Sequence, residues 1–284
     1  SLQVARSSNG GVSFSITTVD DHASNDLGQY PSSAASGSSL AVAYYDVTNT
    51  GLKFARYASG SWKISAVDGM TGTGSCGNAS NDAGKYAKLS FTSTGRPVIA
   101  YQMDNNLRLA IAAESVTSNT FTWSCATLDA SGNTRGVGID MALNSNDIPS
   151  IVHFDSTAGR VYYLTCSSNV SNCIANSNLF SAELVDAVGT TAAVTTKPSI
   201  QINSSGKIFI SYYSAVYQGM GLASRSSGDS GFVKEYIDTI PSSGVQFVSP
   251  AGQYGSMLLN DAGYPTIFYR SMENFIKYFS RELI

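Results

Sequence analysis

Leu40-Ala-Val-Ala-Tyr-Tyr45 returns four more times along the chain, as Val98-Ile-Ala-Tyr-Gln102, Ser150-Ile-Val-His-Phe154, Phe209-Ile-Ser-Tyr-Tyr213 and Thr266-Ile-Phe-Tyr-Arg270. Each copy is a short apolar run closing on aromatic or polar residues, the pattern of a strand. Aligned on these runs, Tyr44, Tyr101, His153, Tyr212 and Tyr269 form one column, and Tyr45, Gln102, Phe154, Tyr213 and Arg270 form the next. A second set precedes them: Pro31-Ser-Ser-Ala-Ala-Ser36, Ala87-Lys-Leu-Ser-Phe-Thr92, Ile139-Asp-Met-Ala-Leu-Asn144, Pro198-Ser-Ile-Gln-Ile-Asn203 and Gly255-Ser-Met-Leu-Leu-Asn260. Four of these five alternate as a half-buried strand does. Turns such as Ser204-Ser-Gly206 and Asp261-Ala-Gly263 link the two sets.

Working outward, a last strand in each unit ends in Asp: Asp20, Asp68, Asp129, Asp186 and Asp238, at intervals of 48, 61, 57 and 52 residues. Repeats of that length signal a repeat architecture, and each has room for four short strands, the blade of a propeller. No segment shows helical periodicity with caps. The expected fold is therefore all-β: one five-bladed β-propeller of four-stranded antiparallel blades, at about residues 21–68, 69–129, 130–186, 187–238 and 239–284 plus 1–20. Leu2-Gln-Val-Ala-Arg6 and Val12-Ser-Phe-Ser-Ile16 resemble the third and fourth strands Leu52-Lys-Phe-Ala-Arg56 and Trp62-Lys-Ile64, and Phe275-Ile-Lys-Tyr-Phe279 is a further third strand. The N-terminal fourth strand is thus expected to complete the last blade and close the ring, removing exposed edges. Six candidate third strands face five of each other kind, so one end overhangs or packs elsewhere. These repeats resemble five-bladed propellers, among them tachylectin-like lectins and arabinanase-like glycosidases. The resemblance is one of architecture over nearly the whole chain, and it transfers no site residue.

Composition narrows the function. Charged residues make up only 13% of the chain and apolar ones 43%, so Ser, Thr, Asn and Gly cover much of the surface, as suits an exported protein. A net charge of −3 without a Lys/Arg run excludes a nucleic-acid face. No apolar stretch reaches the ~20 residues of a membrane helix. The chain opens at Ser1 without Met, and a preceding segment is expected. The four Cys are expected to form two disulfides, Cys76–Cys125 and Cys166–Cys173, in an oxidising compartment, secreted or at the cell surface. Cys-x-x-Cys spacing is absent and the two His, His22 and His153, lie far from any Cys in sequence, so no metal or cofactor is expected.

Ser24-Asn-Asp26-Leu-Gly28-Gln-Tyr30 recurs as Ser80-Asn-Asp82-Ala-Gly84-Lys-Tyr86. The motif looks like the sialidase Asp-box, but its aromatic comes one residue early and it precedes the first strand, so an Asx-stabilised loop anchored by Tyr is expected. The strand-ending Asp residues are too regular for chemistry and are assigned to backbone N–H groups of the next loop. The Tyr/His column is read as packing between blades. The varied neighbouring column and the loops after it set aromatic rings beside carboxylates and amides, which sugar recognition needs. Tyr45, Asp46, Gln102, Asp104, Phe154, Asp155, Tyr213 and Arg270 are therefore the candidate ligand residues, with Tyr45 and Tyr213 expected exposed and Tyr101 buried. Lys88 and Asp140 align on adjacent first strands lining the channel and are expected to form an ion pair there. No catalytic residue is assigned. The expected function is recognition of a glycan or cell-surface ligand by a lectin- or adhesin-like tip domain. A glycoside hydrolase pairing Asp140 with Asp46, Asp104 or Asp155 is the alternative. A protein-binding scaffold, or a homo-oligomer formed through the preceding segment, is the third.

Overall fold

The structure, a computed structural model, describes residues 1–22, 24–69, 76, 81–129, 131–190, 197–238, 253–270 and 275–280. The chain divides into two compact units, Ser1–Leu128 and Asp129–Ile284.

In the first unit β1 (Leu2–Arg6) and β2 (Ser15–Asp20) form a two-stranded sheet. A four-stranded sheet follows, of β3 (Leu27–Ser36), β4 (Ser39–Asp46), β5 (Gly51–Ala58) and β6 (Ser61–Gly69). A second is built from β7 (Ala83–Phe91), β8 (Pro97–Met103), β9 (Asn106–Ala112) and β10 (Trp123–Asp129). Every strand pairs with its neighbour in sequence, the meander of a propeller blade. All of β8 is buried, because a strand covered on both faces has no solvent side on which to place polar residues. The core joins Leu52, Phe54 and Val67 of one blade to Leu89, Ile99 and Tyr101 of the next. Phe54 lies edge-on to Phe121 and Trp123, with ring centroids 5.0 and 5.3 Å away. Cys76 and Cys125 are bonded, as expected.

The second unit holds β11 (Val137–Leu143), β12 (Pro149–Asp155), β13 (Arg160–Cys166) and β14 (Phe180–Ala187) in one blade, and β15 (Ser199–Ile202), β16 (Ile208–Ser214), β17 (Gly219–Arg225) and β18 (Val233–Ile237) in another. A sheet of β19 (Gln253–Leu259), β20 (Pro265–Arg270) and β21 (Ile276–Ser280) follows. One short helix, α1 (Val170–Ala175), departs from the helix-free expectation. It sits in the polar insert closed by the expected Cys166–Cys173 bond, and the Asn169 side chain caps it by accepting from the Asn172 N–H.

Closure of the ring by the N-terminal strand is not shown. Among the described residues β2 pairs with β1, from Leu2↔Asp20 to Arg6↔Ser15, and the last sheet has three strands. Leu2 and Val19, with Val4 behind them, bury against Val42, Tyr44 and Ala55 of the first blade. Burial of its apolar residues holds the β1–β2 pair to that blade.

Within each unit the strand-ending carboxylates tie one sheet to the next. Tyr44 Oη donates to Asp20 at 2.6 Å and Tyr101 Oη to Asp68 at 2.6 Å. Tyr236 Oη donates to Asp186 at 2.7 Å and Tyr269 Oη to Asp238 at 3.3 Å. A cation completes each joint: Lys53 for Asp20 at 2.9 Å, Arg108 for Asp68 at 3.5 Å, Lys234 for Asp186 at 2.9 Å and Lys277 for Asp238 at 3.2 Å. Lys53, Arg108 and Lys277 lie directly across the sheet from Tyr44, Tyr101 and Tyr269. In the β15–β18 blade that place is taken by Gly221, where an added Cβ would lie 2.4 Å from the Tyr212 ring, and the cation comes instead from β18. The expectation of backbone donors thus holds only in part. Gly69 N–H donates to Asp68 and Ser131 N–H to Asp129, but the recurring partner is a phenol. Charge-assisted bonds of this kind are worth about 1.5–3 kcal/mol each.

Candidate functional site

The first strands of four sheets open with the same bulged segment, β19 among them, where Gln253 pairs with Arg270 and Ser256 with Phe268. Gln29 pairs with Tyr45 and Ser32 with Ala43; Lys85 pairs with Gln102 and Lys88 with Ala100; Val137 pairs with Phe154 and Asp140 with Val152. In each gap two residues stand opposite one, and the extra residue is forced out of the pleat. Ahead of the bulge the carbonyls of Asp26, Asp82 and Thr134 accept from the N–H groups of Val47, Asp104 and Ser156. Their own N–H groups donate to Thr48 Oγ1, Asp104 Oδ1 and Thr157 Oγ1. These bonds pin the loop leading into each of these three first strands to the loop after the second strand.

Two residues before Ser32, Lys88 and Asp140 the backbone is left-handed, with φ 48° at Tyr30, 54° at Tyr86 and 58° at Gly138. Gly138 enters this region freely. A tyrosine there clashes through its Cβ at a cost of about 1–2 kcal/mol. The first two blades thus carry a strained aromatic where the third has the residue that suits the backbone.

The strain brings the two rings together. Tyr30 and Tyr86 have centroids 4.6 Å apart at 49°, and Tyr30 lies 6.3 Å from Tyr45. Tyr30 is 36% exposed, Tyr86 is half-buried, and Tyr45 is sealed at 3%. Tyr45 Oη donates to Asp82 Oδ1 at 2.5 Å, and Lys85 Nζ meets Asp82 Oδ2 at 2.5 Å while standing 5.7 Å over the Tyr45 ring. Gln29 Nε2 donates to Asp26 at 2.9 Å, and Asn81 Nδ2 to Asp104 at 2.6 Å. Burial, then the Asp82 carboxylate, pushes the Tyr45 phenol up, and burial with the neighbouring Tyr30 does the same to Tyr86. Both therefore stay protonated and act as donors. The result is an aromatic ledge rimmed by the Asp26 and Asp104 carboxylates and the Gln29 amide, able to stack an apolar ring face and accept from hydroxyls.

The residues expected from sequence fall elsewhere. Tyr45 and Tyr213, expected exposed, are 3% and 5% exposed, and Tyr101 is buried as expected. The reason is the two-sided covering of the second strands, which also buries Gln102 and Phe154. Asp46 is buried and accepts from Asn49 N at 3.1 Å and Asn49 Nδ2 at 2.9 Å, with Lys53 at 3.0 Å. Burial alone would raise its carboxyl, but Asn49 and Lys53 outweigh it and hold the group below the usual range. Asp155 is buried and accepts from the N–H groups of Thr157 and Ala158 and from Asn133 Nδ2. Asp140 Oδ2 accepts from Ser199 Oγ and Ile200 N, both at 2.9 Å, joining neighbouring first strands. Ser32 Oγ does the same for Leu89 N at 3.0 Å. Lys88 and Arg270 are half-buried, and Asp104 alone of the eight expected ligand residues is exposed.

Tyr30 and Tyr86 were the residues sequence reasoning passed over as ligand contacts. Their signal was the repeated Asn-Asp-x-Gly-x-Tyr, read as an Asx-stabilised loop anchored by Tyr; Ser80, at the head of the second copy, lies outside the described residues. Gly252-Gln-Tyr254 repeats the end of the motif in sequence.

Consecutive antiparallel four-stranded blades place this protein in the β-propeller class. No family model and no curated protein matches the chain. Among solved structures it is similar to the Hadza microbial sialidase Hz136, at 13% identity, 99% of this chain, 59% of that one and a TM-score of 0.56. It is also similar to a structure of NanB plus Optactamide, at 14% identity, 81% of this chain, 34% of that one and a TM-score of 0.50. The GH43 endo-arabinanase from Bacillus licheniformis gives 13% identity, 89% and 93% coverage and a TM-score of 0.46. At such identities the likeness is one of fold.

Proposed function

We propose that this protein is an exported, glycan-engaging propeller, secreted or displayed at the cell surface, whose binding surface is the Tyr30–Tyr86 ledge. One observation carries the reading: two tyrosines occupy a backbone conformation that favours glycine, and their rings meet at the surface beside carboxylates and an amide. Strain of this kind concentrates at binding sites, where the surrounding structure over-determines it. The two disulfides support export. In this reading the chain acts as a lectin- or adhesin-like module of the tachylectin-like kind.

A second reading, glycoside hydrolysis, draws on the fold likeness to a sialidase. Of the carboxylates first considered for that role, Asp46, Asp140 and Asp155 are buried and hydrogen-bonded, and only Asp104 lies on the exposed rim. Hydrolysis would instead use the rim acids Asp26, Asp82 and Asp104. A glycan array separates the readings when paired with an assay of reducing-end release from the glycans that bind. Binding without release, lost in Tyr30→Asn, supports recognition. Release abolished by Asp82→Asn or Asp104→Asn establishes the enzyme. Tyr30→Asn is chosen because asparagine tolerates the left-handed backbone, so the ring is removed without added strain. Absence of both binding and release refutes the proposal.

A further inference from the structure

We infer that the Tyr30–Tyr86 ledge selects uncharged or amino sugars and rejects glycans bearing a carboxylate or sulfate. The inference rests on the glycan reading above and names the class of ligand for that site.

Charge is the first argument. The residues joined by contact around the two rings carry three carboxylates, Asp26, Asp82 and Asp104, against one ammonium, Lys85. That ammonium is already held by Asp82 and is turned over the Tyr45 ring. Asp26 and Asp104 are exposed on the rim. An anionic sugar needs fixed cations, best of all the bidentate fork of arginine. Here it would meet carboxylates instead. Like charges a few ångströms apart at a protein surface repel strongly enough to weaken binding by about tenfold or more.

Donor and acceptor chemistry agrees. Ionised carboxylates only accept, so the rim suits ligands rich in O–H or N–H donors, such as vicinal hydroxyls or an ammonium. The flat rings supply the apolar contact that such a ligand presents on its C–H face. An amino sugar adds an attraction that the same carboxylates provide. The fold likeness to a sialidase therefore does not carry that enzyme's ligand class to this surface.

The test uses matched probes on the intact protein by calorimetry: lactose against sialyllactose, galacto-oligosaccharides against oligogalacturonates, and chitosan oligomers as the cationic case. In each pair the neutral member is expected to bind at least about tenfold more tightly than the acidic one, with the gap narrowing as salt rises. Asp104→Asn and Asp26→Asn should narrow it further, and Tyr30→Asn should remove binding of the neutral probe. Equal or tighter binding of sialyllactose or oligogalacturonate, lost in Tyr30→Asn, overturns the inference and leaves the glycan reading standing. Binding of none of these probes or of any array glycan overturns the glycan reading itself. Binding of a neutral probe unaffected by Tyr30→Asn or Tyr86→Asn overturns the assignment to this ledge.

Discussion

Acidification from about pH 7.5 to 4.5 should destabilise this protein through His153. Four blades put tyrosine in that column, and three of those phenols donate directly to a strand-ending aspartate. The β11–β14 blade has the shorter imidazole, fully buried at 0% exposure. Its Nδ1 accepts from Gly136 N–H at 3.2 Å, which leaves the proton on Nε2, and Nε2 has no hydrogen-bond partner. The ring stacks on Tyr162, with Arg135 4.3 Å from that same tyrosine. Burial pushes the imidazole down to about 4, against the pull of Asp129, from an ordinary 6.5. Between those values the unfolded chain binds a proton that the folded chain refuses. Stability is therefore full above pH 6.5, falls as the pH drops, and levels off below about 4. At about pH 4.5 the loss is roughly 2.5 kcal/mol, from about 1.4 kcal/mol per pKa unit. Urea unfolding at about pH 7.5 and 4.5, run in parallel on wild type and His153→Tyr, reads it out. The variant should lose that part of the pH dependence, and should gain about 1–2 kcal/mol at neutral pH if its phenol reaches Asp129. His153→Gln, which does not titrate, controls for a tyrosine that fits poorly. An unchanged difference between the two pH values in both variants would refute the reasoning.

Other outcomes follow from the same geometry. Tyr101→Phe should cost about 2 kcal/mol in chemical unfolding, because it deletes a fully buried donor to Asp68; a cost near zero would mean that the remaining partners, Arg108 and the Gly69 N–H among them, satisfy that carboxylate. Gly221→Ala should lower stability by about 1–3 kcal/mol and shift the near-UV signal of the tyrosines, since its Cβ would lie 2.4 Å from the Tyr212 ring. Loss of the Cys76–Cys125 bond, with a sequence separation of 49, should cost roughly 4 kcal/mol. Loss of Cys166–Cys173, with a separation of 7, should cost roughly 2.5 kcal/mol, and paired Cys→Ser variants compared by thermal unfolding test that order.

Much of the architecture was legible because strand repeats write themselves twice, once as a period of about fifty residues and once as columns of equivalent side chains. The Tyr44, Tyr101 and Tyr269 column was assigned to joints between blades, and its hydrogen bonds to Asp20, Asp68 and Asp238 bear that out. The Asp partners were harder to read, since a carboxylate accepts equally from a backbone N–H and from a phenol. Only packing decides which comes within reach. The exposure of Tyr45 and Tyr213 was misjudged because aromatic residues at a strand end look the same in sequence whether the next sheet covers them or not.

The local sequence, then, determined the strands, their turns and the cysteine partners, because those follow from alternation, turn residues and spacing within one blade. Tertiary structure decided the rest. That β2 pairs with β1, and that Tyr30 and Tyr86 rather than Tyr45 face the surface, depends on apolar burial against another sheet and on a bulge register spanning two strands. Neither is encoded in a single segment; each is set by how residues far apart in the chain fill space and share hydrogen bonds.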